Sequence, residues 1–291
     1  MKKYRFKLPS GENAVLVAID AKTISESTRF FILSGGFYSE NDALLAGTTM
    51  KNSLLCFAVK CRIGIDLGKN KASCFLGDSI REAQFRESGI RLEPDVHGLS
   101  VYSEEHPISY VFSPRINSIR NAKDCSLFSN EICSLFSSGK KISNKVLLAM
   151  ELVTASFFET SSRSKFLTLV LAAEAILVID SKNEKVKAVV KELISVVRST
   201  ELSESEQDSI AGSLKWLKKD SISLSLKKMA IEYLSEKQYN GVDSDIFIKE
   251  CYDARSKLVH EGGVDESKYN ISRLASAMEV YMSDMLLAII E

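Results

Sequence analysis

The chain has no apolar stretch of transmembrane length. Its longest apolar run, residues 166–179, is interrupted by Thr168 and Glu174 and better suits a buried helix. Lys2, Lys3, Arg5 and Lys7 imitate the basic start of a signal peptide, but Pro9, Gly11, Glu12 and Asn13 interrupt the segment where its apolar region should lie, so a cytosolic protein without a membrane partner is expected. The six cysteines, at 56, 61, 74, 125, 133 and 251, form no C-x-x-C pair and have no histidine beside them. Zinc-site spacing is therefore absent, and reduced, mostly buried thiols are expected, with no metal and no cofactor. Internal repeats and low-complexity tracts are also missing.

There is no net charge either, with 38 basic and 38 acidic side chains. The halves nevertheless differ: 19 basic and 15 acidic residues precede position 142, and 19 and 23 follow it. A mildly acidic second half argues against a general nucleic-acid coat and leaves local basic patches. A hydrophobic share of 45% and a charged share of 26% fit an ordinary globular protein, and 291 residues suffice for two domains with cores of their own.

Residues 1–35 read as three strands, YRFKL, AVLVAID and TRFFILSG, separated by polar connections. A helix should follow from Ser39, which has capping-box spacing to Asp42. Its stripe of Ala43, Gly47, Met50, Leu54, Phe57 and Cys61 is expected to lie on the sheet. RIGIDLG, VHGLSVYS and ISYVFS then suggest further strands, with a polar segment from 69 to 91 between the first and second of them. The sum is an α+β domain over 1–115. Residues 116–142 read as a linker carrying a short helix at 127–136. Two motifs in the first domain are discounted. GIDLGK at 64–69 has the wrong spacing for a phosphate loop and lacks the Ser or Thr that should follow the lysine. His97 and His106 lack partners at ligand spacing, and Asp66 reads as a polar contact at a strand end.

From Ser143 the spacing is helical throughout, predicting helices from 143 to about 159, then 185–199, 204–219, 224–235 and Ile271–Ile290, with a nearly all-apolar helix capped by Ser161 or Ser162 between the first two. This defines an all-α bundle over 143–291. Glu174 is the lone carboxylate in its apolar helix, and ionised there it needs a cationic or hydrogen-bonding partner. The stretch YDARSKLVHEGG, residues 252–263, ends a helix at Gly262 and Gly263. It puts Arg255, Ser256 and His260 at the border of one pocket. An arginine clamps phosphate and a histidine moves protons near neutral pH, which together suit RNA phosphodiester cleavage by the neighbouring 2′-hydroxyl.

YDARSKLVHEGG resembles the motif helix of the HEPN superfamily, in which an Arg, four to six residues and a His close a small helical domain. RSKFLTLVLAAEAILV, residues 163–178, is similar to the central helix of the Apea-like HEPN branch, and the resemblance spans about half the chain, residues 143–291. The order of elements over residues 1–115 is similar to regions that accompany some Apea-like HEPN domains.

The resemblance implies a metal-independent endoribonuclease active as a homodimer, with Arg255 and His260 of both copies facing each other across the interface. It further implies that Ser256 orients or contacts RNA, that Glu174 holds Arg255, and that the role lies in bacterial defence, abortive infection or toxin-like growth arrest. The first domain would sense or recruit an unidentified ligand or protein. The alternative is a non-catalytic HEPN module that binds a protein partner or nucleotide and uses Arg255 and His260 structurally. The Tyr-x-Tyr that comes after the His in HEPN toxins paired with nucleotidyltransferases is replaced here by Glu261, Gly262 and Gly263. Silencing by modification of that tyrosine is therefore not expected.

Overall fold

The computed structural model describes residues 1–9, 11–68, 71–72, 78–94, 96–102, 108–111, 125–138, 142–265 and 268–290. Strands and helices combine in an α+β chain, with a small antiparallel sheet at the start and a helical second part. Two compact units are present, one holding residues 1–61 and 65–142, the other residues 62–64 and 143–291.

In the first unit β1 (Lys3–Lys7), β2 (Asn13–Ala18) and β3 (Phe30–Ser34) form an antiparallel meander in the register Tyr4 to Leu16 to Ile32. Alternation buries Phe6, Ala14, Leu16 and Ala18 on one face. Between β2 and β3 the Asp20 carboxylate accepts hydrogen bonds from the Ser27 and Thr28 side chains and from the Thr28 and Arg29 amides. Burial pushes this carboxyl up, but the hydrogen bonds outweigh it and hold the pKa down at about 2.

Helix α1 (Glu40–Cys61) starts as its sequence predicts: the Asp42 amide donates to Ser39 Oγ at 3.1 Å and Ser39 Oγ donates to the Asp42 carboxylate at 2.7 Å. Two short strand pairs accompany it. β4 (Lys71–Ala72) runs antiparallel to β6 (Val96–His97), and β5 (Arg91–Pro94) parallel to β7 (Ile108–Val111). The polar segment expected at 69–91 contains a helix, α2 (Asp78–Ser88).

Three expectations for this unit need correction. The helix expected inside a linker is α3 (Cys125–Ser138), and one side of it belongs to the core: Ile132 is fully buried, and Phe128 meets Phe6 and Phe57 edge-on at 5.9 and 5.3 Å. The Tyr4 and Ser129 hydroxyls are 2.9 Å apart, and Cys133 Sγ donates to the Lys7 carbonyl at 3.0 Å. Consequently α1 packs chiefly on α3, rather than laying its stripe directly on the sheet. Nor do residues 62–68 form the strand expected of RIGIDLG. Arg62 turns left-handed at φ 52°, and Gly68, at φ 65°, presses so close to the His97 carbonyl that a Cβ there would lie 2.2 Å from its oxygen. The strand expected of VHGLSVYS shrinks to Val96–His97. Residues 69–70, 103–107, 112–124 and 139–141, with His106 and part of the expected linker, lie outside the described residues.

In the second unit α4 (Asn144–Ser156), α5 (Ser162–Ala175), α8 (Ile222–Leu234), α9 (Ser244–His260) and α10 (Ile271–Ile290) share one core, with α6 (Glu184–Arg198) and α7 (Glu204–Trp216) standing as a hairpin between α5 and α8 in sequence. Ser143, Ser161, Asn183, Ser203 and Ser221 cap five of these helices by accepting from the amide three residues on. A small hairpin, β8 (Gln238–Tyr239) and β9 (Val242–Asp243), leads into α9 and turns at Asn240 and Gly241, both with positive φ. Tyr239 stacks near Phe247 and Tyr281, with ring centroids 5.6 and 5.0 Å away, and donates to the Asp284 carboxylate at 2.7 Å. That packing fixes the start of α9 against α10.

Candidate functional site

Helix α9 carries the three residues singled out from its sequence. Phe247, Ile248, Cys251, Ala254 and Leu258 are buried and set its rotation against α5 and α8. Arg255 follows buried Ala254 and is therefore carried to the edge of the core, its side chain 27% exposed. There it meets Glu174, which α5 holds one residue after buried Ala172 and Ala173, its side chain 16% exposed. Arg255 Nε lies 3.3 Å from Glu174 Oε1, and Nη2 donates to Oε2 at 3.5 Å.

The lone carboxylate of the apolar helix thus has its cation. The pairing is not saturated, however. Oε1 is buried, and its approach to Nε lacks the geometry of a hydrogen bond, leaving it without a hydrogen-bond donor among the described residues. Burial raises the Glu174 pKa, and the Arg255 charge only partly opposes that rise. The guanidinium has five donors. Its Nε and Nη2 edge faces Glu174, and Nη1 has no partner among the described residues.

His260 is the last residue of α9 and is exposed, without a hydrogen-bonding or ionic partner among the described residues. The helix stops where the sequence predicts: the Glu261 amide closes on the Lys257 carbonyl at 2.8 Å, and Gly262 turns left-handed at φ 75°.

Ser256, of intermediate exposure, lies one turn before His260 and about 40° from it around the axis, so these two share a face. Arg255 and His260 are about 140° apart around the same axis, with roughly 7.5 Å of rise between them. One copy of the helix therefore groups Arg255 with Glu174, and Ser256 with His260, on adjoining faces.

The remaining candidates fall elsewhere. His97 and Asp66 meet in the first unit, where His97 Nε2 lies 2.9 Å from the Asp66 carbonyl and the Gly68 amide donates to the Asp66 carboxylate at 2.9 Å. These contacts brace a loop, where the sequence suggested a polar contact of Asp66 at a strand end. Sequence reasoning missed the β8–β9 hairpin that aims α9, although Asn240-Gly241 is its signature. Among the described residues no group of three His, Cys, Asp or Glu side chains is placed to hold a metal ion, and no helix is long and apolar enough to cross a membrane. Comparison of the chain with protein-family models, with curated proteins and with solved structures finds no match.

Proposed function

We propose that the second unit is a metal-independent endoribonuclease of the HEPN type, acting as a homodimer in bacterial defence or toxin-like growth arrest. The observation that carries this reading is the arrangement on α9. Arg255 is oriented by Glu174 yet keeps donors for a phosphate, and exposed His260 ends the same helix one turn beyond Ser256. In this reading His260 takes the proton from the RNA 2′-hydroxyl or gives one to the leaving 5′-oxygen, and Arg255 stabilises the charge that builds on the phosphate. Ser256 contacts the RNA backbone. Because Arg255 and His260 of one chain face different ways, a site that uses both on one phosphate is best completed by a second copy.

The competing reading is a non-catalytic module that binds a protein partner or a nucleotide. It draws on the Glu174 contact, which already engages one edge of Arg255. Induced expression of the wild type and of Arg255→Ala and His260→Ala variants separates the two. The nuclease reading expects growth arrest and RNA cleavage from the wild type alone, with either variant losing about 100-fold or more in rate. Equal behaviour of all three proteins, each folded, supports the binding module. The first unit is assigned to sensing or recruitment.

A further inference from the structure

Residues 180 and 220 bracket an arm. The Lys182 amide donates to the Lys218 carbonyl at 2.8 Å, the Asp220 amide donates to the Asp180 carbonyl at 2.9 Å, and Lys228 of α8 bridges both aspartates. These bonds close the base of the α6–α7 hairpin. Beyond that base the two helices pack chiefly on each other around Val190 and Ala211. Arg198 and Asp208 pair near the tip at 2.5 Å.

A two-helix arm cannot bury both sides of its apolar stripes. On α6, Val189, Leu193 and Val196 recur at spacings of four and three and are 55%, 44% and 62% exposed. On the other helix Ile210 and, at its cap, Leu217 are 40% and 49% exposed, and Leu202 in the connection is 40% exposed. The α6 residues are displaced by about 60–120° from buried Val190, and Ile210 and Leu217 by about 100–120° from buried Ala211, in the same rotational sense. Because the helices are antiparallel, both displacements fall on one side of the arm. The five residues on the two helices leave roughly 400 Å² of mostly apolar surface on that side, within the range of the biggest patch of a typical monomer and commonly functional at that size.

Charge indicates what covers it. The tip bears Glu201, Glu204, Glu206 and Asp208 against Arg198 alone. Toward the base, Lys182, Lys185 and Lys187 together with Lys215, Lys218 and Lys219 outnumber Asp180, Glu184 and Asp220, and Lys228 of α8 bridges the two aspartates. The arm is therefore acidic at one end and basic at the other, with an apolar side between them. A two-fold axis perpendicular to the helices lays the acidic tip of one arm on the basic base of another and joins the two apolar sides. The pair buries about 800 Å² of apolar surface, and its charged ends add the polar rim that a specific interface of about 1,000 Å² or more requires.

We propose that the α6–α7 arm is a self-association surface, docking antiparallel on the arm of a second copy of this chain as a four-helix layer. The proposal goes beyond the function above and does not depend on RNA cleavage.

Light scattering after size exclusion, on the full chain at low and high salt, tests it. The wild type is expected to be a dimer that weakens as salt rises, and the Val189→Asp/Val196→Asp double variant a monomer with unchanged helical circular dichroism. Glu201→Lys is expected to weaken the dimer at least tenfold, and adding Lys185→Glu to the same chain to restore it. A wild type that stays monomeric at every concentration overturns the proposal, as does a dimer indifferent to Val189→Asp/Val196→Asp. Co-flotation of a monomeric wild type with anionic vesicles assigns the side to lipid instead and overturns it equally. RNA cleavage on the same samples keeps the two ideas apart: a dimer that never cuts counts against the nuclease alone, and a monomeric variant that still cuts counts against a two-copy active site alone.

Discussion

At Glu174 two demands compete. The α5 helix needs apolar residues on nearly every side, and the Arg255 cation at the core edge needs a carboxylate; the result is a paired acid whose pKa burial still raises. The folded chain therefore holds that proton more tightly than the unfolded one. Stability is expected to fall as pH rises from the ordinary glutamate value of 4.5 through the raised folded value, and Glu174→Gln should flatten this slope in urea titrations. If the nuclease reading holds, the same substitution also slows cleavage by loosening Arg255, and a variant unchanged in both readouts removes Glu174 from the site.

Asp20 behaves in the opposite sense. Its pKa is lowered from 3.8 to about 2, so its contribution is present above the ordinary value and lost as pH falls through that window. Asp20→Asn should abolish this part of the acid limb of the stability curve. No change in the acid limb would mean that the hydrogen bonds to Ser27 and Thr28 are not kept in solution.

Among the elements, α3 differs most from its sequence reading. Its Ser and Asn content and the polar residues on either side suggested a linker, and nothing local distinguishes a linker helix from a core helix when its partners lie far away in sequence. Phe128 wedged between Phe6 and Phe57 decides the matter by tertiary packing. Phe128→Ala is expected to cost about 3 kcal/mol of stability by chemical denaturation. A cost near zero would return the helix to a linker.

Other elements divide in the same way. The α1 start was legible because Ser39 and Asp42 interact within one turn, and the α9 stop because only Gly262 easily takes its left-handed turn. Helix α2 was not legible, since its side chains are polar nearly all round and leave no periodic stripe. RIGIDLG reads as a strand by composition, yet Arg62 and Gly68 take positive φ at its two ends, and Gly64 belongs to the second unit, packed against Phe157 and Phe158.

For the whole molecule, two units with separate cores match the shift in periodicity near Ser143. A cationic or hydrogen-bonding partner for Glu174 could be anticipated because a lone carboxylate in an apolar helix demands one, whereas Arg255 as that partner was implied by the HEPN resemblance alone. The 140° separation of Arg255 and His260 also derives from sequence spacing, but its meaning depends on which side of α9 is buried, and that only the fold determines. The arm was legible as two helices. That their apolar sides remain uncovered was not, because exposure belongs to the assembled unit.

The central claim is that His260 and Arg255 perform RNA transesterification. Its most direct test incubates purified wild type and His260→Ala with single-stranded RNA in chelator and analyses the product ends. Cleavage by the wild type leaving 2′,3′-cyclic phosphates, with loss of about 100-fold or more in His260→Ala, is the predicted result. Equal cleavage by both proteins, or 3′-hydroxyl ends from the wild type, would contradict it.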